Sequence, residues 1–129
     1  MSRDVCMTTT LDFAFDDITI DDLATMPETV RDDLAFGVVG IDRSGIARIY
    51  NAAESRLAGL APSAVIGLPF FDAVAQCMNN FMVAQRFEDS DDVDEVVPFV
   101  LTLRMRPTPV RLRLLASRAE PLRYVLIER

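Results

Sequence analysis

The side chains able to do specific chemistry are few: two thiols, Cys6 and Cys77, and no histidine at all. Without histidine there is no imidazole-ligated zinc or haem and no Cys–His or Ser–His pair. The two cysteines follow no zinc-ligand spacing. A thiol with no general base nearby makes a poor catalytic site, so the sequence points away from an enzyme. Taken alone, Cys77 reads as a buried structural thiol, and no role is assigned to Cys6. The acidic run from Asp89 to Glu95 (DSDDVDE) lacks the ligand order and glycine of an EF-hand loop and reads as a solvated connection. Asn51 and Glu54 stand three residues apart, the spacing of a helix capping box. Tyr50 just before them reads as a half-buried residue ending a strand.

The elements that position these groups follow from hydrophobic patterning. Residues 1–33 are acidic, with nine carboxylates against two arginines, and predict short helices near 20–25 and 28–33. Thr19 begins the first, and Pro27–Glu28 fits the first turn of the second. Phe36 to Asp42 (FGVVGID) and Ile46 to Tyr50 (IARIY) flank the turn Arg43-Ser44-Gly45 as a hairpin. A cluster of short helices follows: Asn51 to Leu60, 62–66 and 70–75. Asn79 to Asp89 is predicted as the longest helix of this half. Three strands close the chain, at Val96 to Arg106, Val110 to Ser117 and Leu122 to Glu128. In VRLRLL, Val110, Leu112 and Leu114 share one face while Arg111 and Arg113 share the other. One sheet face is therefore expected to be apolar and the other cationic. The order predicts an α+β domain with a five-stranded antiparallel sheet.

Charge and length exclude further classes. Half of the 129 residues are hydrophobic, which suits one domain with a core. The net charge of −7 argues against nucleic acid as a partner. No stretch approaches the ~20 apolar residues of a membrane span, and Met1 to Asp12 lacks the order of a signal peptide. A cytoplasmic protein with reduced thiols is expected. All 13 basic residues are arginine, seven of them within 96–129. Docking of the acidic N-terminal segment on that cationic region is expected, either as plain packing or as a releasable cover over a partner surface.

Several stretches together resemble the photoactive yellow protein family of PAS domains: LAFG at 34–37, IYNAAE at 49–54, VIG at 65–67, FF at 70–71, DAVAQC at 72–77 and MRPTPV at 105–110. The resemblance runs from Leu34 to the end, without gaps as far as Phe87, and with a shortening in the acidic loop before Val96. Residues 1–33 are similar to the family's helical cap in length and acidity only. The implied organisation is a cap at 1–33 and a PAS domain at 34–129.

The resemblance implies a blue-light photoreceptor, with a p-coumaroyl (4-hydroxycinnamoyl) group held on Cys77 as a thioester and isomerised from trans to cis by light. Its phenolate would accept hydrogen bonds from Tyr50 and from a protonated Glu54, which stands 23 residues before Cys77. A proton passing from Glu54 to the phenolate would leave an unpaired buried carboxylate and loosen the cap. Val39, Phe70, Val74 and Ala75 would form an apolar wall, with Leu101 where the family has a phenylalanine and Met105 retained. Ala58 stands where the family has a threonine supporting the tyrosine. Leu60 replaces an arginine that covers the phenolate end, and Gln76 replaces the proline before the cysteine. These departures imply a shifted colour, pKa or cycle speed, with Arg56 as a stand-in cation. Two other readings stay open. One is a PAS domain without chromophore that dimerises or docks on a downstream signalling protein. The other is a flavin or small-molecule sensor, although Gln76-Cys77-Met78 lacks the Cys-Arg of flavin-binding PAS domains.

Overall fold

A computed structural model describes residues 13–80, 82–102 and 107–129. Four α-helices are defined among them: α1 (Ile20–Thr25), α2 (Glu28–Asp32), α3 (Ala52–Ala58) and α4 (Ala84–Asp89). Between α3 and α4 lie single turns of tighter or wider helix at Pro62–Ala64, Phe70–Val74 and Gln76–Met78. The strands are β1 (Gly37–Ile41), β2 (Ala47–Tyr50), β3 (Val93–Leu101), β4 (Thr108–Ala116) and β5 (Arg123–Glu128). They form one antiparallel sheet in the order β2-β1-β5-β4-β3. The predicted α+β architecture is the observed one.

Local chemistry accounts for the ends of these elements. Thr19 and Asp22 cap α1 reciprocally, each side chain accepting the other's backbone N–H. The β1–β2 turn is closed by Asp42, whose carboxylate accepts from Ser44 N and Ile46 N. Gly45 takes φ +88°, where a side chain would be strained. The inner sheet face gathers Val39, Ile41, Val97, Leu112, Leu114, Val125 and Ile127 under Phe70, Met78, Val83 and Phe87.

The outer face differs from the expected cationic surface. Arg111 and Arg113 do lie on it, but so do Val38, Leu115, Tyr124 and Leu126, covered by Phe15, Ile18, Leu23 and Leu34 of the N-terminal segment. Strands β1 and β5 are thus buried on both faces, and every residue of β1 is buried. Alternation cannot reveal a strand of that kind. The arginines anchor the covering segment. Arg113 donates to the carbonyls of Phe15 and Ile18 and to Asp94. Arg111 pairs with Asp16 and lies 4.9 Å from the centre of the Phe15 ring.

Two local expectations are corrected. The helix predicted over 79–89 forms only from Ala84. Asn80 Oδ1 accepts from Met82 N and Val83 N, and this side-chain turn competes with helical pairing. The acidic run is no free loop either. Strand β3 begins at Val93, and Asp92, Asp94 and Glu95 pair with Arg118, Arg113 and Arg86. Strand β3 begins three residues earlier than the apolar pattern alone implies, with Val93 opposite Ala116.

Candidate functional site

Helix α3 is positioned by one buried amide. Asn51 Oδ1 accepts from Glu54 N at 3.1 Å and from Val38 N at 2.9 Å. Its Nδ2 donates to Arg31 O at 3.0 Å and Phe36 O at 3.1 Å. Every donor and acceptor site of the side chain is thereby used. The Asp32 carboxylate adds a bond by accepting from Ala52 N at 2.9 Å. The start of α3 is thus fixed to α2 and to β1 together. Half of the predicted capping box forms. Its return half does not, because the Asn51 N–H already donates to Val38 O at 3.1 Å. The Glu54 carboxyl is therefore free to turn inward.

It does so, and Glu54 is only 2% exposed. The carboxyl lies directly over Gly37 of β1, where a Cβ would stand 2.1 Å from Oε1. Across from it, Arg129 Nη1 donates to Oε1 at 2.8 Å and Nη2 donates to Oε2 at 3.2 Å. Burial pushes the Glu54 carboxyl above its ordinary range, and the hydrogen bond and charge of Arg129 oppose that without reversing it. The expectation that a Glu54 carboxylate would be unpaired is overturned by this guanidinium. Arg129 did not emerge from the sequence, although a signal was there. Val125, Ile127 and Arg129 share strand parity, so an arginine on the inward face at the end of β5 was readable once the strand was placed.

Tyr50 ends β2 opposite Val39 and is 6% exposed. Burial first, and then the nearby Glu54 carboxyl, push its phenol well above the usual range, with Arg129 acting the other way. The hydroxyl therefore keeps its proton. It has no hydrogen-bond partner among the described residues.

The remaining sequence-predicted residues mostly meet in one cluster. Val39, Tyr50, Phe70, Ala75 and Leu101 are buried in the inner core, and Leu60, Val74 and Cys77 pack against it half-buried. Cys77 is a free thiol in the single turn Gln76–Met78, and its carbonyl accepts from Asn80 Nδ2 at 3.0 Å. Ala58 is buried on α3. Arg56 is exposed, in a groove shared with Arg31, Arg48 and Tyr50. The cation on Glu54 is Arg129, not Arg56. Met105 and Cys6 lie outside the described residues. Among the described residues no helix is long and apolar enough to cross a membrane.

A five-stranded antiparallel sheet with short helices packed on its inner face, around an apolar cluster that holds a thiol and a phenol, defines a sensor domain of the PAS type. The family pattern described as the PAS fold matches residues 25–121. The photoactive yellow protein of Halochromatium salexigens is 31% identical over 120 residues, covering 91% of this chain and 95% of that one. That of Rhodothalassium salexigens is 35% identical over 95 residues, covering 71% and 76%. The crystal structure of the photoactive yellow protein domain from the sensor histidine kinase Ppr of Rhodospirillum centenum superposes with a TM-score of 0.78 at 31% identity, covering 84% of this chain and 98% of that domain. The chain belongs to the photoactive yellow protein family of PAS domains, a family of sensory photoreceptors rather than enzymes.

Proposed function

We propose that this domain is a blue-light receptor with a p-coumaroyl thioester on Cys77 and with Tyr50 and Glu54 as hydrogen-bond donors to its phenolate. The observation that carries the reading is the meeting of the three residues' surroundings: Tyr50 lies in the apolar cluster against which Cys77 packs, and its protonated phenol is held close enough to the buried Glu54 carboxyl to feel its charge. When bound, the group supplies a phenolate that absorbs blue light and isomerises. A free phenol titrates near 10, so an anion at neutral pH requires donors of this kind. Hydrogen bonds to an ionised acceptor are the stronger ones. Burial keeps Glu54 inclined to hold its proton. Val39, Phe70, Val74, Ala75 and Leu101 would form the apolar wall of the site; Val39, Phe70, Ala75 and Leu101 are buried in the cluster against which Val74 and the half-buried Cys77 pack.

In this reading residues 1–33 are the cap and 34–129 the sensor domain. Movement of α3 is passed to α2 through Asn51 and Asp32, and the outer face is released for a downstream partner. A chromophore-free interaction module is the second reading, favoured by the fact that Glu54 already has a partner in Arg129.

The test is reconstitution. p-Coumaric anhydride is added to the purified chain; the Cys77 sulfur forms the new C–S bond, p-coumarate leaves, and the thiol proton goes to solvent. The expected result is a mass gain of one coumaroyl group and a single visible band that bleaches in blue light, both lost in Cys77→Ser. Absence of an adduct on the folded wild type sinks the receptor reading and favours the interaction module.

A further inference from the structure

Arg129 is unusual for an arginine that follows the last strand. Such a side chain ordinarily extends into water, where its charge is hydrated. Here it folds inward until its side chain is only 18% exposed, and sets two nitrogens on a carboxyl that is 2% exposed. A two-toothed contact of this kind is the arginine geometry with the most positional specificity. The carboxyl is confined from behind by Gly37, where any larger residue would occupy the place of Oε1. Among the described residues its other neighbours supply no competing cation. Strand β2 presents Tyr50, which is neutral, and β1 presents Gly37. At the start of α3, Asp32 is bound to Ala52 N, while Arg31 contributes its carbonyl to Asn51. Arg129 is thus the one cation on Glu54 among the described residues.

We propose that Arg129 is the positioning residue and counter-ion of Glu54, a built-in acceptor for the negative charge that appears when this carboxyl loses its proton. Deprotonation of Glu54 then tightens the tie between α3 and the end of β5 and does not expel the carboxylate. The inference deepens the receptor reading but needs no pigment, so the two fail separately: reconstitution tests the thiol, and the unloaded chain tests the arginine.

The experiment follows the Glu54 carboxyl carbon by NMR across pH in the unloaded full chain, with the signal assigned by its loss in Glu54→Gln. Replacing Arg129 by glutamine removes the favourable charge, so the Glu54 midpoint moves up by about tenfold or more in proton affinity. Arg129→Lys restores part of the shift. In wild type the Arg129 side-chain nitrogen signals move with the same midpoint as Glu54, a readout that requires no variant to fold. A Glu54 midpoint unaffected by Arg129→Gln, or Arg129 signals that ignore the Glu54 titration, overturns the proposal.

Discussion

Gly37→Ala gives the sharpest test of the buried carboxyl. The backbone at Gly37 is not in the left-handed region, so alanine can adopt it, and the effect must come from contact. The new methyl would stand 2.1 Å from Oε1, 3.0 Å from Cδ and 3.1 Å from Cβ of Glu54. The Cβ cannot retreat, because Asn51 and Asp32 fix the first turn of α3. The carboxyl must therefore swing away from Arg129, breaking contacts of 2.8 and 3.2 Å. Breaking a fully buried pair costs about 3–5 kcal/mol. Water reaches Arg129 through its exposed side and returns part of that, leaving about 2–3 kcal/mol. For a chain of this length the melting temperature falls by roughly 8–12 °C. The assay is urea unfolding of a four-member cycle with Glu54→Ala. In the Glu54→Ala background the carboxyl contacts are gone and only the 3.1 Å approach to the Cβ remains, so Gly37→Ala should cost clearly less there. Equal costs in the two backgrounds would refute the reasoning, since the penalty would then belong to the strand and not to the pair.

The pH dependence of stability follows from the direction of the Glu54 shift. Its carboxyl is raised above the ordinary 4.5, so the folded chain holds a proton that the unfolded chain releases. That contribution is complete below the unfolded value and is lost as pH rises through the folded one. The urea midpoint of wild type should therefore fall relative to that of Glu54→Gln as pH rises from about 4 to 8, and a constant difference would contradict the shift. Arg113→Met keeps the apolar stem but leaves the Phe15 and Ile18 carbonyls without their donor. A loss of about 2–4 kcal/mol is expected, with faster amide exchange concentrated in residues 15–26; slow exchange retained there would show that the apolar cluster alone holds the segment.

Much of the fold was legible because its cues are local. The Gly45 turn between two apolar runs, the Thr19 and Asn51 caps and the alternation in VRLRLL each depend on residues a few positions apart. Strands β1 and β5 hid a second core because both their faces are covered, so an uninterrupted apolar run such as FGVVGID carries no sign of what lies on either side. The α4 start was misplaced because Asn80 has a helix-compatible neighbourhood and a helix-breaking side-chain turn. The site divides in the same way. Tyr50 and Glu54 stand four positions apart, at the end of β2 and in the first turn of α3, and the family resemblance pairs them directly. Arg129 meets Glu54 across 75 positions of sequence, and only the placement of β5 beside β1, with Gly37 opposite Ile127, brings it there.

That placement also bears on how the site would speak to the N-terminal segment. The Asn51 amide makes four hydrogen bonds, three of them buried: one to α3, one, half-buried, to the carbonyl of Arg31 in α2, and two to the β1 end of the sheet. Each such group costs about 1–3 kcal/mol if stranded, so α3 cannot shift by more than a hydrogen-bond length without moving α2 or leaving the amide unsatisfied. The Glu54 carboxyl sits on the same first turn. A change in its charge or partner therefore acts on a helix whose start is shared with the covering segment, while Arg129 holds the other side of the carboxyl to β5. When deprotonation of Glu54 draws α3 toward β5, the shared Asn51 joint makes α2 the first element outside the site to register the change, and the outer-face cluster around Phe15 and Leu23 the next.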